Sequence, residues 1–181
     1  VYGTGSWGTA YASVLADAGT SVTMWGRRQE VVDQINAGTN EDYLPELRLP
    51  GTIRATTDPF EAAAGADIVV LAVPSQTLRA NLEVWGSALP SSAAIVSLMK
   101  GVELGTTRRM SEVISEVGGV EPERVVIVSG PNLAREIAVK QPAASVVASS
   151  SPAMAELVAA ACAAPYFRPY TGSDVVGTEI C

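Results

Sequence analysis

The chain opens with Gly3-Thr4-Gly5-Ser6-Trp7-Gly8, whose glycine spacing is typical of a turn that binds a dinucleotide. In such a turn, the first glycine (Gly3) permits a tight bend and the second (Gly5) lets the backbone approach a pyrophosphate. The third (Gly8) lets the following helix pack closely on its strand, and that helix begins with N–H groups that can bind the anion. A helical pattern and then a β-like run at 21–25 follow. This order predicts a dinucleotide site.

Two arginines follow the second predicted strand. At this point a carboxylate normally holds the ribose hydroxyls of NAD, but the chain has Arg27 and Arg28, and no acidic residue follows before Glu30. A guanidinium offers a planar fork of donors that suits a phosphate. The pattern therefore favours NADP over NAD as the cofactor. The alternative is a solvated arginine pair that opens the next helix.

Lys100 follows the buried run at 93–98 and precedes a glycine, so we expect it at a strand end facing the ligand crevice. The chain has two lysines among its 12 basic residues, and a compact ammonium at this point suggests contact with a polarised oxygen or a phosphate. The alternative is a surface cation beside a turn. The other lysine, Lys140, lies in a loop, and we expect it to be solvated.

A further strand end carries Ser129-Gly130-Pro131-Asn132 before a helical pattern at 133–137. Gly130 permits close approach of another group, and Asn132 can cap a helix or donate a hydrogen bond to a substrate hydroxyl. Taken alone, the segment is more often a capped helix than a substrate site. It becomes a candidate because it follows a strand of the same predicted sheet.

Composition excludes several classes of function. With no histidine, the chain lacks the imidazole that Ser-His-Asp and Cys-His sites require. Cys162 and Cys181 have neither zinc nor disulfide spacing, so we expect no metal site and a core position for Cys162. The net charge of −7 argues against nucleic-acid binding. No apolar run reaches the roughly 18 residues of a membrane span. We expect a cytoplasmic protein.

The elements that must position these residues alternate along the chain. Apolar, strand-like runs occur at 21–25, 53–55, 68–73, 93–98, 125–128, 144–148 and 167–170. Helical patterns occur between them, at 30–36, 59–65, 75–85, 106–117, 133–137 and 152–161. The alternation predicts a doubly wound, Rossmann-like and mostly parallel α/β sheet, with its ligand crevice at the carboxyl ends of the strands. Only Val1 and Tyr2 precede the glycine turn, so we expect a truncated first strand.

The motifs, taken together and in order, resemble those of the NAD(P)-dependent glycerol-3-phosphate dehydrogenases across the whole chain. The first glycine motif is shared by many dehydrogenases, whereas K-G-V-E followed by S-G-P-x-x-A-x-E is far more discriminating. The resembling segments are G-T-G-S-W-G-T-A, V-T-M-W-G-R-R, Y-L-P at 43–45, V-P-S at 73–75, S-L-M-K-G-V-E at 97–103, S-G-P-N-L-A-R-E at 129–136 and D-V-V-G-T-E at 174–179. The resemblance implies interconversion of sn-glycerol 3-phosphate and dihydroxyacetone phosphate with NADP or NAD, feeding glycerophospholipid synthesis.

The resemblance also implies roles for individual residues. Lys100 is expected to touch both cofactor and substrate, and Gly130 and Asn132 to hold the substrate, a phosphorylated three-carbon compound. The position of Asn132 is commonly Ser or Thr in the family, so its hydrogen bonds can differ. The residues expected to contact the cofactor are Gly3, Gly5, Ser6, Trp7, Gly8, Arg27, Arg28, Tyr43 and Ala134.

The resemblance assigns a dinucleotide-binding domain to residues 1–172 and the start of a helical substrate domain to residues 173–181. A second family lysine, the proton donor or acceptor, is expected beyond Cys181, so this chain alone should be inactive. We expect a homodimer for the complete protein. Two alternatives are another dehydrogenase of the superfamily, acting on 2-ketopantoate or a 3-hydroxy acid, and a non-catalytic dinucleotide-binding module.

Overall fold

The computed structural model describes residues 1–180, which form a sheet with helices on both faces. Seven strands and eight α-helices alternate there, and three short 3₁₀ helices join some of them. In chain order they are α1 (Ser6–Asp17), β1 (Val22–Trp25), α2 (Gln29–Asn36), β2 (Ile53–Thr56), α3 (Pro59–Ala63), β3 (Ile68–Leu71), α4 (Leu78–Trp85), β4 (Ala94–Ser97), α5 (Met110–Gly118), β5 (Val125–Ser129), α6 (Ala134–Ala138), β6 (Ala143–Ala148), α7 (Pro152–Cys162), β7 (Phe167–Gly172) and α8 (Val175–Ile180).

Tyr2 joins the two parts of the sheet. Strands β1 and β2 pair in parallel, and β3 to β7 form the other part. Tyr2 makes parallel bridges to Trp25 of β1 and to Leu71 of β3. Its N–H donates to the carbonyl of Val70 at 2.7 Å, and its carbonyl accepts from the N–H of Ala72 at 2.8 Å. Buried Tyr2, together with the backbone hydrogen bonds that join its neighbours Val1 and Gly3 to Trp25, therefore closes the seam immediately before the glycine turn.

The sheet is mostly parallel, as predicted, with one reversal. Strands β3, β4 and β5 pair in parallel, β6 is antiparallel to β5, and β7 is parallel to β6. The segment between β5 and β6 contains only the short helix α6, and it returns the chain beside the strand it has just left. The start of β6 therefore lies at the same edge of the sheet as the end of β5.

Alternate residues of the central strands face opposite layers, as expected for strands covered on both faces. Val70, Val96 and Val126 pack in one core with residues of α1, α2, α6 and α7. Leu71 and Ile95 pack in the other core with residues of α3, α4 and α5. The carboxyl ends of the parallel strands lie together at one edge of the sheet, outside both cores. Among residues 1–180, no helix has the length and apolar character needed to cross a membrane.

The predicted helix boundary that differs most from the structure is the start of α5. The pattern at 106–117 predicts a helix, but α5 begins only at Met110. Thr107 has a positive φ of 58° and Gly105 one of 86°, so the chain is not helical there. The Arg109 N–H donates to the Glu112 carboxylate at 2.9 Å and thereby caps the helix. Residues 102–109 instead form a tight loop, closed by an antiparallel bridge between Val102 and Arg109.

The structure agrees with the predicted positions of Cys162 and Lys140. Cys162 is a buried free thiol in the core, as predicted, and burial raises its pKa. Cys181 lies outside the described residues. Lys140 is exposed in the loop after α6, as predicted, and its ammonium also pairs with the carboxylate of Asp17 at 3.0 Å and lies 5.6 Å from the ring centre of Tyr166. Lys140 therefore ties α1 to the edge of the sheet.

Candidate functional site

A cavity of about 360 Å³ opens beside the glycine turn, at the carboxyl ends of the central strands. The turn supplies one wall, the ends of β1 and β3 supply others, and Met99, after β4, closes part of the floor. Of the predicted cofactor residues, those lining this cavity are Gly3, Gly5, Trp7, Arg27 and Tyr43. The structure therefore brings together residues that the motifs predicted in the glycine turn and after the strand that follows it.

The three glycines of the turn are required for different reasons. Gly3 has a φ of +121°, and a Cβ there would lie 2.4 Å from the carbonyl oxygen of Ala72. A Cβ on Gly8 would lie 2.4 Å from the carbonyl oxygen of Gly3. A Cβ on Gly5 would meet no atom within 4 Å. Gly3 and Gly8 thus allow the turn to fold. The open space at Gly5 would let a ligand phosphate approach the protein backbone.

The connection between α2 and β2 packs against the glycine turn and contributes Tyr43 to the cavity lining. Asn40 is buried, and its amide donates to the carbonyl of Thr4 at 2.9 Å and to the hydroxyl of Thr9 at 2.8 Å. The Ser6 hydroxyl donates to the carbonyl of Tyr43 at 3.2 Å. Ser6 is therefore beside the cavity wall. Sequence reasoning missed Asn40, although its position just before the Y-L-P segment was a usable signal.

Arg27 and Arg28 are not equivalent. Arg27 lines the cavity. The Arg28 guanidinium instead pairs with the Asp42 carboxylate at 2.6 Å and lies 5.7 Å from the ring centre of Tyr43. The hydrogen bond to Asp42 raises the pKa of Arg28. Sequence reasoning missed Asp42, because it lies 14 residues beyond Arg28 and only the loop brings it back.

Lys100 lies at a second cavity, also of about 360 Å³. Its ammonium donates to the carbonyl of Gly130 at 3.3 Å, and Ser129 and Thr178 line the same space. Met99 lines the glycine-turn cavity, and the next residue in the chain, Lys100, lines this one. The strand-end lysine and the Ser129-Gly130 segment therefore meet, as their positions predicted.

The other residues of the segment after β5 have structural contacts. The Asn132 amide donates to the Ser145 hydroxyl at 2.5 Å, while its side-chain oxygen is buried without a partner among residues 1–180. A Cβ on Gly130 would lie 2.9 Å from the carbonyl oxygen of Ala144, so close packing on β6 requires this glycine. Ala134 begins α6 and packs against the core. Among residues 1–180, the Asn132 oxygen and the Ser129 hydroxyl are both buried polar groups of this segment without a hydrogen-bond partner.

The loop after Lys100 is fixed to the start of α4. The Arg79 guanidinium donates two hydrogen bonds to the Glu103 carboxylate, at 2.8 and 2.9 Å. The Gln76 side chain donates to the carbonyl of Val102 at 2.8 Å and accepts from the N–H of Leu104 at 2.9 Å. These contacts hold the residues directly after Lys100. They also explain the glutamate of the K-G-V-E segment, whose role the sequence did not reveal.

Neutralising Glu103 should destabilise the fold in a pH-dependent way. Hydrogen bonds from Arg79 and Thr106 lower the pKa of Glu103 from its ordinary 4.5 to about 2. A lowered pKa stabilises the fold fully above the ordinary value, and this contribution is lost as the pH falls towards the folded-state value. We expect Glu103→Gln to lower the urea midpoint at pH 7, and the difference from the unmodified protein to shrink between pH 4.5 and 3. Glu83→Gln, on the exposed face of α4, is the control. A pH-independent difference would contradict this account.

Helix α8 is anchored by a buried carboxylate. Glu179 accepts hydrogen bonds from the N–H of Ser111 at 2.7 Å and from its hydroxyl at 2.6 Å, and it lies 3.4 Å from the Arg109 guanidinium. The first turn of α5 therefore holds α8, and with it Thr178, beside Lys100. Within residues 1–180, no group of three Cys, Asp or Glu side chains is placed to hold a metal ion.

Comparison with known proteins gives the family. Residues 1–155 match the family model described as NAD-dependent glycerol-3-phosphate dehydrogenase N-terminus. A curated relative named glycerol-3-phosphate dehydrogenase [NAD(P)+] from Streptomyces avermitilis is 59% identical over 99% of this chain and 54% of its own length. One from Mycobacterium tuberculosis, with the same name and the number 2, has the same identity and coverage. The chain thus spans about half the length of the curated relatives it matches.

Solved structures agree with the curated relatives. The crystal structure of glycerol-3-phosphate dehydrogenase from Coxiella burnetii superposes with a TM-score of 0.89 at 32% identity, over 98% of this chain and 54% of that one. The yeast glycerol-3-phosphate dehydrogenase gives the same TM-score at 27% identity, over 99% of this chain and 57% of that one. The family match covers most of the chain and agrees with the glycine turn and the Lys100 segment described above. The chain belongs to the family of the NAD-dependent glycerol-3-phosphate dehydrogenases, whose N-terminal region it matches.

Proposed function

We propose that the chain is the cofactor-binding part of an enzyme that interconverts sn-glycerol 3-phosphate and dihydroxyacetone phosphate. The observation that carries the proposal is a pair of cavities that two consecutive residues, Met99 and Lys100, line. One is lined by the glycine turn, and the other holds a lysine hydrogen-bonded to Gly130. In this proposal, residues 1–172 bind the dinucleotide, and α8 begins the substrate domain.

The residues of the first cavity suit a nicotinamide dinucleotide. Gly5 leaves open space where a pyrophosphate can approach, and no side chain caps the start of α1, so its first N–H groups are available to an anion. Trp7 and Tyr43 supply apolar walls, and Arg27 supplies a cation. We assign these residues to the cofactor, together with Gly3 and Gly8, which allow the turn to form, and Ser6, which bonds to Tyr43. When bound, the reduced nicotinamide would donate a hydride to the carbonyl carbon of the substrate. In the reverse direction, the oxidised nicotinamide would accept a hydride from the alcohol carbon.

The residues of the second cavity suit a small phosphorylated ketone or alcohol. We assign Lys100 the role of placing positive charge beside the substrate oxygen that becomes anionic as the carbonyl is reduced. The hydrogen bond to Gly130 restrains the lysine beside that position. Gly130 lines this cavity and Asn132 does not, and we assign both to the substrate, Asn132 on the family resemblance alone. We assign Ala134 a cofactor contact on the family resemblance alone.

Turnover and binding assays test the proposal. The full-length protein should oxidise NADPH in the presence of dihydroxyacetone phosphate, and 2-ketopantoate and 3-keto acids should not replace that substrate. Cofactor binding is followed separately by fluorescence titration. Turnover of 2-ketopantoate would assign the protein to another dehydrogenase of the superfamily. Binding of NADPH without turnover of any of these compounds would indicate a non-catalytic dinucleotide-binding module.

We also propose that the cofactor is NADP more readily than NAD, because Arg27 lines the cavity after β1. Arg27→Ala should weaken NADPH binding about tenfold or more, the usual loss when a charge-assisted hydrogen bond is removed. NADH binding should change much less, and adding Arg28→Ala should widen the difference. Arg168→Ala on the edge strand β7 is the control. Equal losses for the two cofactors would remove the argument for a 2′-phosphate.

A further inference from the structure

Asp42 forms an ion pair with Arg28 close to the candidate cofactor cavity. Its carboxylate pairs with the Arg28 guanidinium at 2.6 Å, and its second oxygen accepts from the Gln34 amide at 3.3 Å. The Gln34 side-chain oxygen accepts in turn from the N–H of Glu41 at 2.9 Å. Gln34 therefore holds the loop and orients the carboxylate. Hydrogen bonds from Gln34 and Arg28 lower the pKa of Asp42, so it is ionised at neutral pH.

The pair occupies a position that matters for a ligand. The Arg28 guanidinium lies 5.7 Å from the ring centre of Tyr43, and that ring lines the cavity together with Arg27. Arg28 and Asp42 do not line the cavity themselves, but Arg28 lies against Tyr43, which forms part of the cavity wall together with Arg27. A 2′-phosphate approaching this wall would meet one free arginine and one arginine whose charge is already balanced by a carboxylate.

The ion pair is exposed enough to be exchanged. The Arg28 side chain is 53% exposed and the Asp42 side chain 38% exposed. Exposed pairs of this kind contribute little to stability, because water screens both charges. A phosphate monoester with a charge near −2 is a stronger partner for a guanidinium than one carboxylate is. Asp42 therefore competes with a 2′-phosphate for Arg28 and also repels it.

We propose that Asp42 is a specificity-determining residue of the dinucleotide site. By balancing the charge of Arg28, it lowers the preference for a dinucleotide with a 2′-phosphate and leaves the binding of one with a 2′-hydroxyl unchanged. This inference rests on the proposed function and deepens it. It assigns the two neighbouring arginines different roles: Arg27 is available to the ligand, whereas the charge of Arg28 is balanced by Asp42.

The test measures NADPH and NADH affinity by fluorescence titration on the full-length protein. We expect Asp42→Asn to tighten NADPH binding about three- to tenfold, as removal of one unit charge near a phosphate at a protein surface predicts. NADH binding should stay unchanged, and the gain should diminish at high salt. Glu41→Gln is the matched control, because it removes the same charge from the neighbouring exposed residue. It should give little or no gain.

A double-mutant cycle decides whether Asp42 acts through Arg28. In the Arg28→Ala background, Asp42→Asn should give a smaller gain than in the unmodified protein, because only the direct repulsion of the phosphate is then removed. A full gain in that background would overturn the assigned mechanism. Weaker NADH binding by Asp42→Asn would overturn the proposal by identifying the carboxylate as a ribose ligand, and an unchanged NADPH to NADH ratio would overturn it as well. If the unmodified protein bound neither cofactor, the proposed function itself would fail.

Discussion

Lys100→Ala in the full-length enzyme is expected to lower turnover of dihydroxyacetone phosphate about a hundredfold or more, the usual loss when a preorganised electrostatic contact to a developing anion is removed. The ammonium is restrained by the carbonyl of Gly130, and the following loop is fixed by Arg79 and Glu103. The fold should be retained, because Lys100 is exposed and contributes no core packing. Steady-state kinetics should show the loss mainly in kcat.

Lys140→Ala provides a matched control for this experiment. It removes the other lysine of the chain, whose ammonium pairs with Asp17 on the side of α1. We expect its turnover to stay close to that of the unmodified enzyme, with at most a small loss of stability, because exposed pairs contribute little. If Lys100→Ala left the rate unchanged as well, Lys100 would be a surface cation beside a turn.

Gly8→Ala is expected to destabilise the fold by about 1–3 kcal/mol or more, the usual cost of overpacking. The added Cβ would lie 2.4 Å from the carbonyl oxygen of Gly3 and 3.1 Å from the Cβ of Ala72. The first of these neighbours is backbone, so α1 would have to move away from the turn. Thermal denaturation measures the effect, which for a chain of this size corresponds to about 2–4 °C per kcal/mol. Cofactor binding should fall with it, because the turn would be displaced.

Gly5→Ala separates binding from folding within the same turn. Gly5 has a φ of −70°, which alanine adopts freely, and its added Cβ would meet no atom within 4 Å. The melting temperature without ligand should therefore stay close to that of the unmodified protein. Cofactor affinity should fall tenfold or more, because the methyl group would occupy the space open to the ligand. A large loss of stability by Gly5→Ala, or none by Gly8→Ala, would contradict these glycine roles.

Most of the fold could be predicted from short-range patterns. Each apolar run, such as that at 68–73, became a strand, because a strand covered on both faces has few polar residues. The late start of the helix predicted at 106–117 could not be foreseen, because residues 106–109 include no strong breaker and the positive φ of Thr107 depends on contacts made by the loop. The direction of β6 could not be predicted either. A short connection such as α6 permits both a crossover and a return, and packing decides between them.

The candidate site was only partly predictable for a related reason. Gly3, Gly5 and Lys100 were found because each stands next to a strand end, where neighbours along the chain reveal its position. Asp42 and Asn40 were missed because a loop carries them back to Arg28 and Thr4. Glu179 was missed as an anchor because its partner Ser111 lies 68 residues away. Residues that act through a distant partner leave no periodic pattern in the sequence.

The seam closed by Tyr2 has a thermodynamic consequence. The carbonyl and N–H groups of Tyr2 bond to residues beside β3, and the N–H of Gly3 donates to the carbonyl of Trp25 at 3.0 Å. The backbone that joins the two halves of the sheet is thus continuous with the backbone of the glycine turn. A ligand that binds only the ordered turn stabilises every contact on which the order of the turn depends. Occupancy of the cavity is therefore linked to cohesion of the whole sheet, and separation of its halves would release the ligand.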